Sequence, residues 1–236
     1  MESHILQTKE DLLGISRSLR ENVVLEKDID FEFDFILPYS KAESISKVKL
    51  VIIGQDPTIQ NEKEISKKRQ REITSTLDLN NENGNLRKYC KLISQLLGFD
   101  IDKDVYATNL CKCVFKEKPA YNGILDKHSK QWIPLLKKEL NVFSDKVIFV
   151  TLGQPLIKQL ITSNKTEVKY YWNYVGNTES NLNFKCCESN DNCLQQRLYP
   201  LPHQPTWSRG RSRNGFYYKY LTDFLNFITE NEKIAE

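Results

Sequence analysis

Four consecutive apolar residues, Leu50-Val51-Ile52-Ile53, closed at once by Gly54-Gln55-Asp56-Pro57, restrict this chain more than any other stretch. A short β-branched run ended by turn residues is the pattern of a strand buried on both faces, and such strands belong to parallel sheets covered by helices. Gly54 permits a sharp turn or a close approach by a ligand, and Pro57 removes a donor and fixes φ just beyond. Between them Asp56 stands at the carboxyl end of the strand, where open α/β sheets bind ligands. An ordinary strand followed by an Asx turn uses the same residue types, so the remainder of the chain has to decide.

Three more runs of this kind follow: Val105 to Leu110, Val147 to Leu152, and Arg197 to Pro202. Helical spacing separates them. Leu86, Tyr89, Cys90, Leu92, Ile93, Leu96 and Leu97 follow a helical pattern that stops at Gly98; Ile124, Trp132, Leu135, Leu136 and Leu140 form another; Leu156, Ile157, Leu160 and Ile161 form a third. A further helix is expected over about residues 9–20, and a last one from about Gly215 to Ile228. Phe31, Phe33, Phe35 and Ile36 read as an extended cover over the core. Strands alternating with helices predict the α/β class, as a single three-layer α/β/α domain around a mainly parallel four-stranded sheet. The expected domain is the whole chain, 1–236, with its core at about 45–230. Residues 1–44 form the helical and extended cover. An irregular, aromatic insertion lies at about 165–192, and Tyr170, Tyr171, Trp172 and Tyr174 are expected to pack it onto the body.

Composition excludes more than it reveals. The chain has 236 residues, 39% of them hydrophobic and 28% charged, which suits a globular protein with a sizeable core. A net charge of only +3 does not by itself announce a nucleic-acid binder, so any basic surface has to come from clustering. The two clusters are Lys67-Lys68-Arg69-Gln70-Arg71-Glu72 and Trp207-Ser208-Arg209-Gly210-Arg211-Ser212-Arg213. Either also suits a solvated face or loop. No apolar run approaches the roughly 20 residues of a membrane span. The start, Met1-Glu2-Ser3-His4, lacks the basic and apolar regions of a secretory signal. The expectation is a cytoplasmic, monomeric protein without membrane association. Six cysteines (Cys90, Cys111, Cys113, Cys186, Cys187 and Cys193) include no CxxC pair, which argues against zinc or an iron–sulfur cluster and for incidental thiols. No metal and no cofactor is expected.

Several polar residues fall at or just past strand ends: Gln55 and Asp56, Asn109, and His203 with Ser208 beyond it. In a parallel sheet the ends point one way, so these side chains can share a cleft. Each taken singly is ordinary, a hydrogen-bonded structural histidine or an asparagine closing a turn. Together they resemble the uracil-DNA glycosylase superfamily. Its first motif, Gly-Gln-Asp-Pro-Tyr-His after a buried strand, stands here as Gly54-Gln55-Asp56-Pro57-Thr58-Ile59. Its strand ending in Asn is matched by Tyr106-Ala107-Thr108-Asn109. Its closing motif, His-Pro-Ser-Pro-Leu-Ser, is matched more loosely by His203-Gln204-Pro205-Thr206-Trp207-Ser208. Phe149-Val150-Thr151-Leu152-Gly153 is similar too. The resemblance covers residues 48 to about 228.

That resemblance implies a monofunctional DNA glycosylase acting on a flipped pyrimidine in single- or double-stranded DNA. Asp56 and His203 would be the catalytic pair, and Gly54, Gln55, Thr58 and Asn109 would contact the base. Trp207, aligned with the family's intercalating Leu, would wedge the duplex, and Ser208, Arg209, Arg211 and Arg213 would hold phosphates. The departures are informative. Uracil-specific members place Tyr where Thr58 stands, the next His is Ile59, and no aromatic occurs in 72–77, where the stacking Phe belongs. The cysteine spacing of the iron–sulfur branch is absent. A roomier pocket follows, and with it a base bulkier than uracil. A 5-substituted pyrimidine leads, such as hydroxymethylcytosine or its glucosylated form in phage DNA, which would set the protein in anti-phage defence. Excision of plain uracil in repair is the enzymatic alternative. A DNA- or protein-binding relative without activity and a hydrolase of free modified nucleosides are the rivals from other classes.

Overall fold

The computed structural model describes residues 1–57, 75–120, 123–174, 183–203 and 217–233. At its centre are four strands, β1 (Leu50–Gly54), β2 (Val105–Asn109), β3 (Ile148–Leu152) and β4 (Leu198–Leu201), every residue of which is buried. They pair parallel throughout in the order β2-β1-β3-β4. Burial along whole strands explains the unbroken apolar runs: both faces of the sheet are covered, so no solvent side exists to require alternation.

The covering helices are α1 (Glu2–Glu21), the single turn α2 (Val23–Glu26), α3 (Asn85–Leu96), α4 (Ile124–Leu140), α5 (Gln154–Leu160), the short α6 (Val168–Tyr171) and α7 (Leu221–Lys233). Right-handed crossovers fix which face each one covers. The step from β1 to β2 runs opposite in direction to the steps from β2 to β3 and β3 to β4. Accordingly α3 lies on one face, where it packs with α7, while α4 and α5 pack together on the other with α1 against α4. This is the three-layer α/β/α arrangement expected from the sequence.

Two boundaries differ from the periodicity reading. Helix α1 begins at Glu2 rather than near residue 9, because Thr8 and Leu12 are buried on the same stripe as Leu19. Helix α7 continues past Ile228 to Lys233, although the apolar spacing ends. Its last turn is held by polar contacts: Tyr199 Oη donates to Glu232 and accepts from Asn231 Nδ2 at 2.6 Å. The described part of the expected insertion is docked on the body. Trp172 is fully buried, stacked on Phe224 of α7 with ring centroids 4.3 Å apart. The N-terminal cover reaches the sheet through Tyr39, which bridges Ala107 of β2, while Cys187 bridges Leu198 on the outer side of β4.

Candidate active site

Parallel pairing brings all four carboxyl ends of the strands to one margin of the molecule. Gly54 of β1 lies opposite Asn109 of β2, and the ladder runs on past both strands: Leu110 N donates to Gly54 O, and Cys111 N to Gln55 O, each at 2.9 Å. The absence of a side chain at Gly54 is a steric requirement. A Cβ there would stand 2.3 Å from Asn109 Oδ1 and 2.5 Å from Leu77 Cδ2. The Asn109 amide therefore lies over the glycine, fully buried, and neither Oδ1 nor Nδ2 has a hydrogen-bond partner among the described residues. A buried polar atom without a partner costs about 1–3 kcal/mol, so native structures keep few of them. Here a donor and an acceptor stand side by side, the complement of one edge of a nucleobase.

The Asn109 backbone is fixed by an equally unusual group. Lys112, fully buried, donates from Nζ to Asn109 O at 2.8 Å and pairs with Glu139 Oε2 at 2.7 Å. Glu139, on α4, accepts from Tyr106 Oη at 2.9 Å through its other oxygen. A charge pair enclosed this way contributes little net stability; what it does here is tie the last residue of β2 to the helix beneath.

Asp56 is 7% exposed, and Gln55 Nε2 donates to its Oδ1 at 2.5 Å. The Gln55 side chain thus orients the carboxylate, a contact the sequence did not suggest. Beneath it lie the Cys111 and Cys113 thiols. Burial, reinforced by the charge of Asp56, pushes both well above the usual thiol range, so they stay protonated and inert.

His203 enters from the far side of the sheet. Two carbonyls of its approach are held by side chains from the cover: Trp172 Nε1 donates to Pro200 O at 2.7 Å, and Tyr89 Oη of α3 donates to Pro202 O at 3.2 Å. Between them Gly153 N donates to Leu201 O at 2.9 Å. Gly153 has φ +94, and a Cβ there would meet His203 Cβ at 3.3 Å, so the imidazole packs across this glycine just past β3. His203 presents surface to solvent, yet desolvation by the surrounding protein lowers its pKa from 6.5. The ring is neutral at physiological pH. Since β3 separates β1 from β4, two strand spacings, roughly 10 Å, lie between the backbones that carry Asp56 and His203.

Gly54, Gln55, Asp56, Asn109 and His203 thus gather at one end of the sheet. Thr58, Trp207, Ser208, Arg209, Arg211 and Arg213 lie outside the described residues, as does the charged run at 67–72. Among the described residues no group of three or more His, Cys, Asp or Glu side chains is placed to hold a metal ion, and no helix is long and apolar enough to cross a membrane. Sequence reasoning missed Leu77, Tyr89, Lys112 and Glu139. Glu139 was discoverable, being the charged member of the apolar stripe Trp132, Leu135, Leu136 on α4. Lys112 likewise interrupts an otherwise apolar stretch from Leu110 to Phe115.

At its carboxyl end this α/β sheet gathers a buried carboxylate, an imidazole and an amide without a hydrogen-bond partner among the described residues, in the position where such sheets bind ligands. The family model of the Uracil DNA glycosylase superfamily matches residues 41–227, most of the chain, and the protein belongs to that superfamily. Membership makes it, in general terms, a DNA glycosylase, a hydrolase of N-glycosidic bonds whose partner is DNA. No curated protein matches the chain.

Proposed function

We propose that this protein is a metal-independent, monofunctional glycosylase that removes a 5-substituted pyrimidine from DNA and leaves an abasic site. The observation that carries the proposal is the Asn109 amide, buried over Gly54 without a hydrogen-bond partner among the described residues, at the same sheet end as Asp56 and His203. A flipped base would supply the missing donor and acceptor.

In this reaction the bond between C1′ and the base nitrogen breaks with its electron pair leaving on the base. The sugar becomes oxocarbenium-like and the base anionic. Asp56, held by Gln55 Nε2, stabilises the cation and orients a water on its open face. That water's oxygen bonds to C1′, its proton is lost through the carboxylate to solvent, and the departing base is protonated in turn. His203, kept neutral by desolvation, donates a hydrogen bond to the carbonyl oxygen of the departing base, where negative charge gathers, without transferring its proton. Within the motifs no lysine is placed to attack C1′: Lys112 is committed to Glu139 and Asn109 O. The strand is therefore left uncut.

A base larger than uracil suits Thr58 in place of the family's Tyr and an aliphatic side chain, Leu77, at Gly54. Hydroxymethylcytosine and its glucosylated form, as in phage DNA, are the leading substrates, and defence against such phages is the setting. Trp207 and the Arg209, Arg211 and Arg213 cluster would wedge and grip the strand. The test is release of bases from oligonucleotides carrying uracil or modified cytosines, read as alkali-labile sites. Asp56→Ala and His203→Ala should each lower release at least about 10²-fold with the fold retained. Steeply salt-dependent DNA binding with no base released from the whole panel would sink the proposal in favour of a binding module.

A further inference from the structure

We propose that Leu77 is the specificity-determining wall of this pocket and a displaceable cover on the Asn109 amide, an inference that rests on the base-excision reading of the same site. Leu77 Cδ2 and Asn109 Oδ1 both lie within 2.5 Å of the point where a Gly54 Cβ would sit. The leucine methyl therefore occupies the approach to the amide, within the space a base edge needs to come into hydrogen-bond range. The amide is sealed from solvent and from partners alike among the described residues.

The backbone at this position is strained. Leu77 has φ +56 and ψ +20, and Asp78 follows with φ +54. A γ-branched side chain gains nothing from the left-handed region, and such outliers persist only where their surroundings over-determine them. The surroundings do so here on both sides. Thr76 Oγ1 donates to Leu37 O at 2.8 Å, Ser75 Oγ donates to Asn80 Oδ1 at 2.7 Å, and Asn80 N returns a bond to Ser75 Oγ at 2.9 Å. Arg87 Nη1 donates to Leu79 O at 2.5 Å, and its Nη2 is paired with Asp102 at 3.0 Å. The turn is thus clamped to α3 and to the N-terminal cover, and it projects the Leu77 side chain toward Gly54.

A leucine methyl beside an amide left without its hydrogen bonds is the less favourable half of an exchange. When the base edge replaces the methyl, the amide gains its two bonds and Leu77 becomes the flank of the bound ring. A branched aliphatic flank offers no quadrupole for stacking and discriminates by volume instead. The ligand class it suits is a pyrimidine whose 5-substituent projects beyond a flat slot.

The experiment compares wild type with Leu77→Ala and Leu77→Gly. Both variants lose the leucine's packing, and glycine offsets part of that loss because it accepts φ +56 without strain. The first measurement is kcat/KM on oligonucleotides carrying uracil, 5-hydroxymethyluracil, 5-hydroxymethylcytosine and glucosylated 5-hydroxymethylcytosine. The ratio of largest to smallest base should change at least tenfold in both variants. The second needs no turnover: exchange of the Asn109 side-chain NH₂ with solvent, followed by NMR, should quicken at least tenfold once the leucine is removed. If wild type releases bases but the variants alter all four equally, Leu77 has no specificity role while the glycosylase reading stands. If wild type releases nothing, that reading falls and the exchange measurement alone decides the cover. Unchanged Asn109 exchange overturns it.

Discussion

Replacing Lys112 by Met asks what the enclosed charge pair under the site does. Lys112 and Glu139 are 0% and 1% exposed at their side chains, with Nζ 2.7 Å from Oε2. Methionine is unbranched and of similar length, but it leaves the Glu139 carboxylate with Tyr106 Oη as its hydrogen-bond donor among the described residues, and the Asn109 carbonyl loses its donor. Removing one member of such a pair costs about 3–5 kcal/mol, because the survivor is a buried charge without compensation. In a chain of this length that lowers Tm by roughly 6–20 °C. Glu139→Leu should cost a similar amount for the mirror-image reason. The double variant removes both charges, so it should be more stable than additivity predicts by at least about 1.5 kcal/mol. Urea unfolding of the four proteins measures the cycle directly. A Lys112→Met cost below about 1 kcal/mol, or singles that sum within about 0.5 kcal/mol, would mean the pair is hydrated and the account of Asn109's support is wrong.

Gly54→Ala should cost about 1–3 kcal/mol by overpacking against Asn109 and Leu77, and base release should fall with it; a fully active alanine variant would remove the amide from the reading position. Tyr89→Phe deletes the donor to Pro202 O, for a loss of about 0.5–1.5 kcal/mol and a lower kcat at unchanged KM, since the residue before His203 loses its anchor. Unaltered turnover would confine Tyr89 to packing. Desolvation depresses the pKa of all three histidines, His4, His128 and His203, below 6.5, the first two against the opposing pull of Glu139 and Asp28. Their unfolded forms then bind more protons, so stability is complete above pH 6.5 and declines as pH falls through the folded values. NMR titration should find each imidazole below 6.5, and one titrating above it would contradict the burial argument.

The strand ends were legible because each candidate site residue closes a run that only a doubly covered strand explains. Asp56 after Ile53-Gly54, Asn109 after Ala107-Thr108 and His203 after Leu201-Pro202 follow that rule. The supports were not, since they act across distances no local pattern encodes: Lys112 reaches Glu139 on α4, and Tyr89 on α3 reaches Pro202. Leu77 was the least readable. Leucine carries no preference for positive φ, and its turn is fixed by Arg87, Thr76 and Ser75 rather than by a glycine or asparagine at the bend.

The outermost strands have a consequence for how the protein behaves when crowded. Tyr39 exchanges two bonds of 2.8 Å with Ala107 along β2, and Cys187 exchanges bonds of 2.8 and 2.9 Å with Leu198 along β4. Further along β4, Pro200 has no N–H to offer and its carbonyl belongs to the Trp172 indole. A stray strand arriving at either flank meets backbone already taken by the chain's own loops, which closes off the edge-to-edge route to fibres.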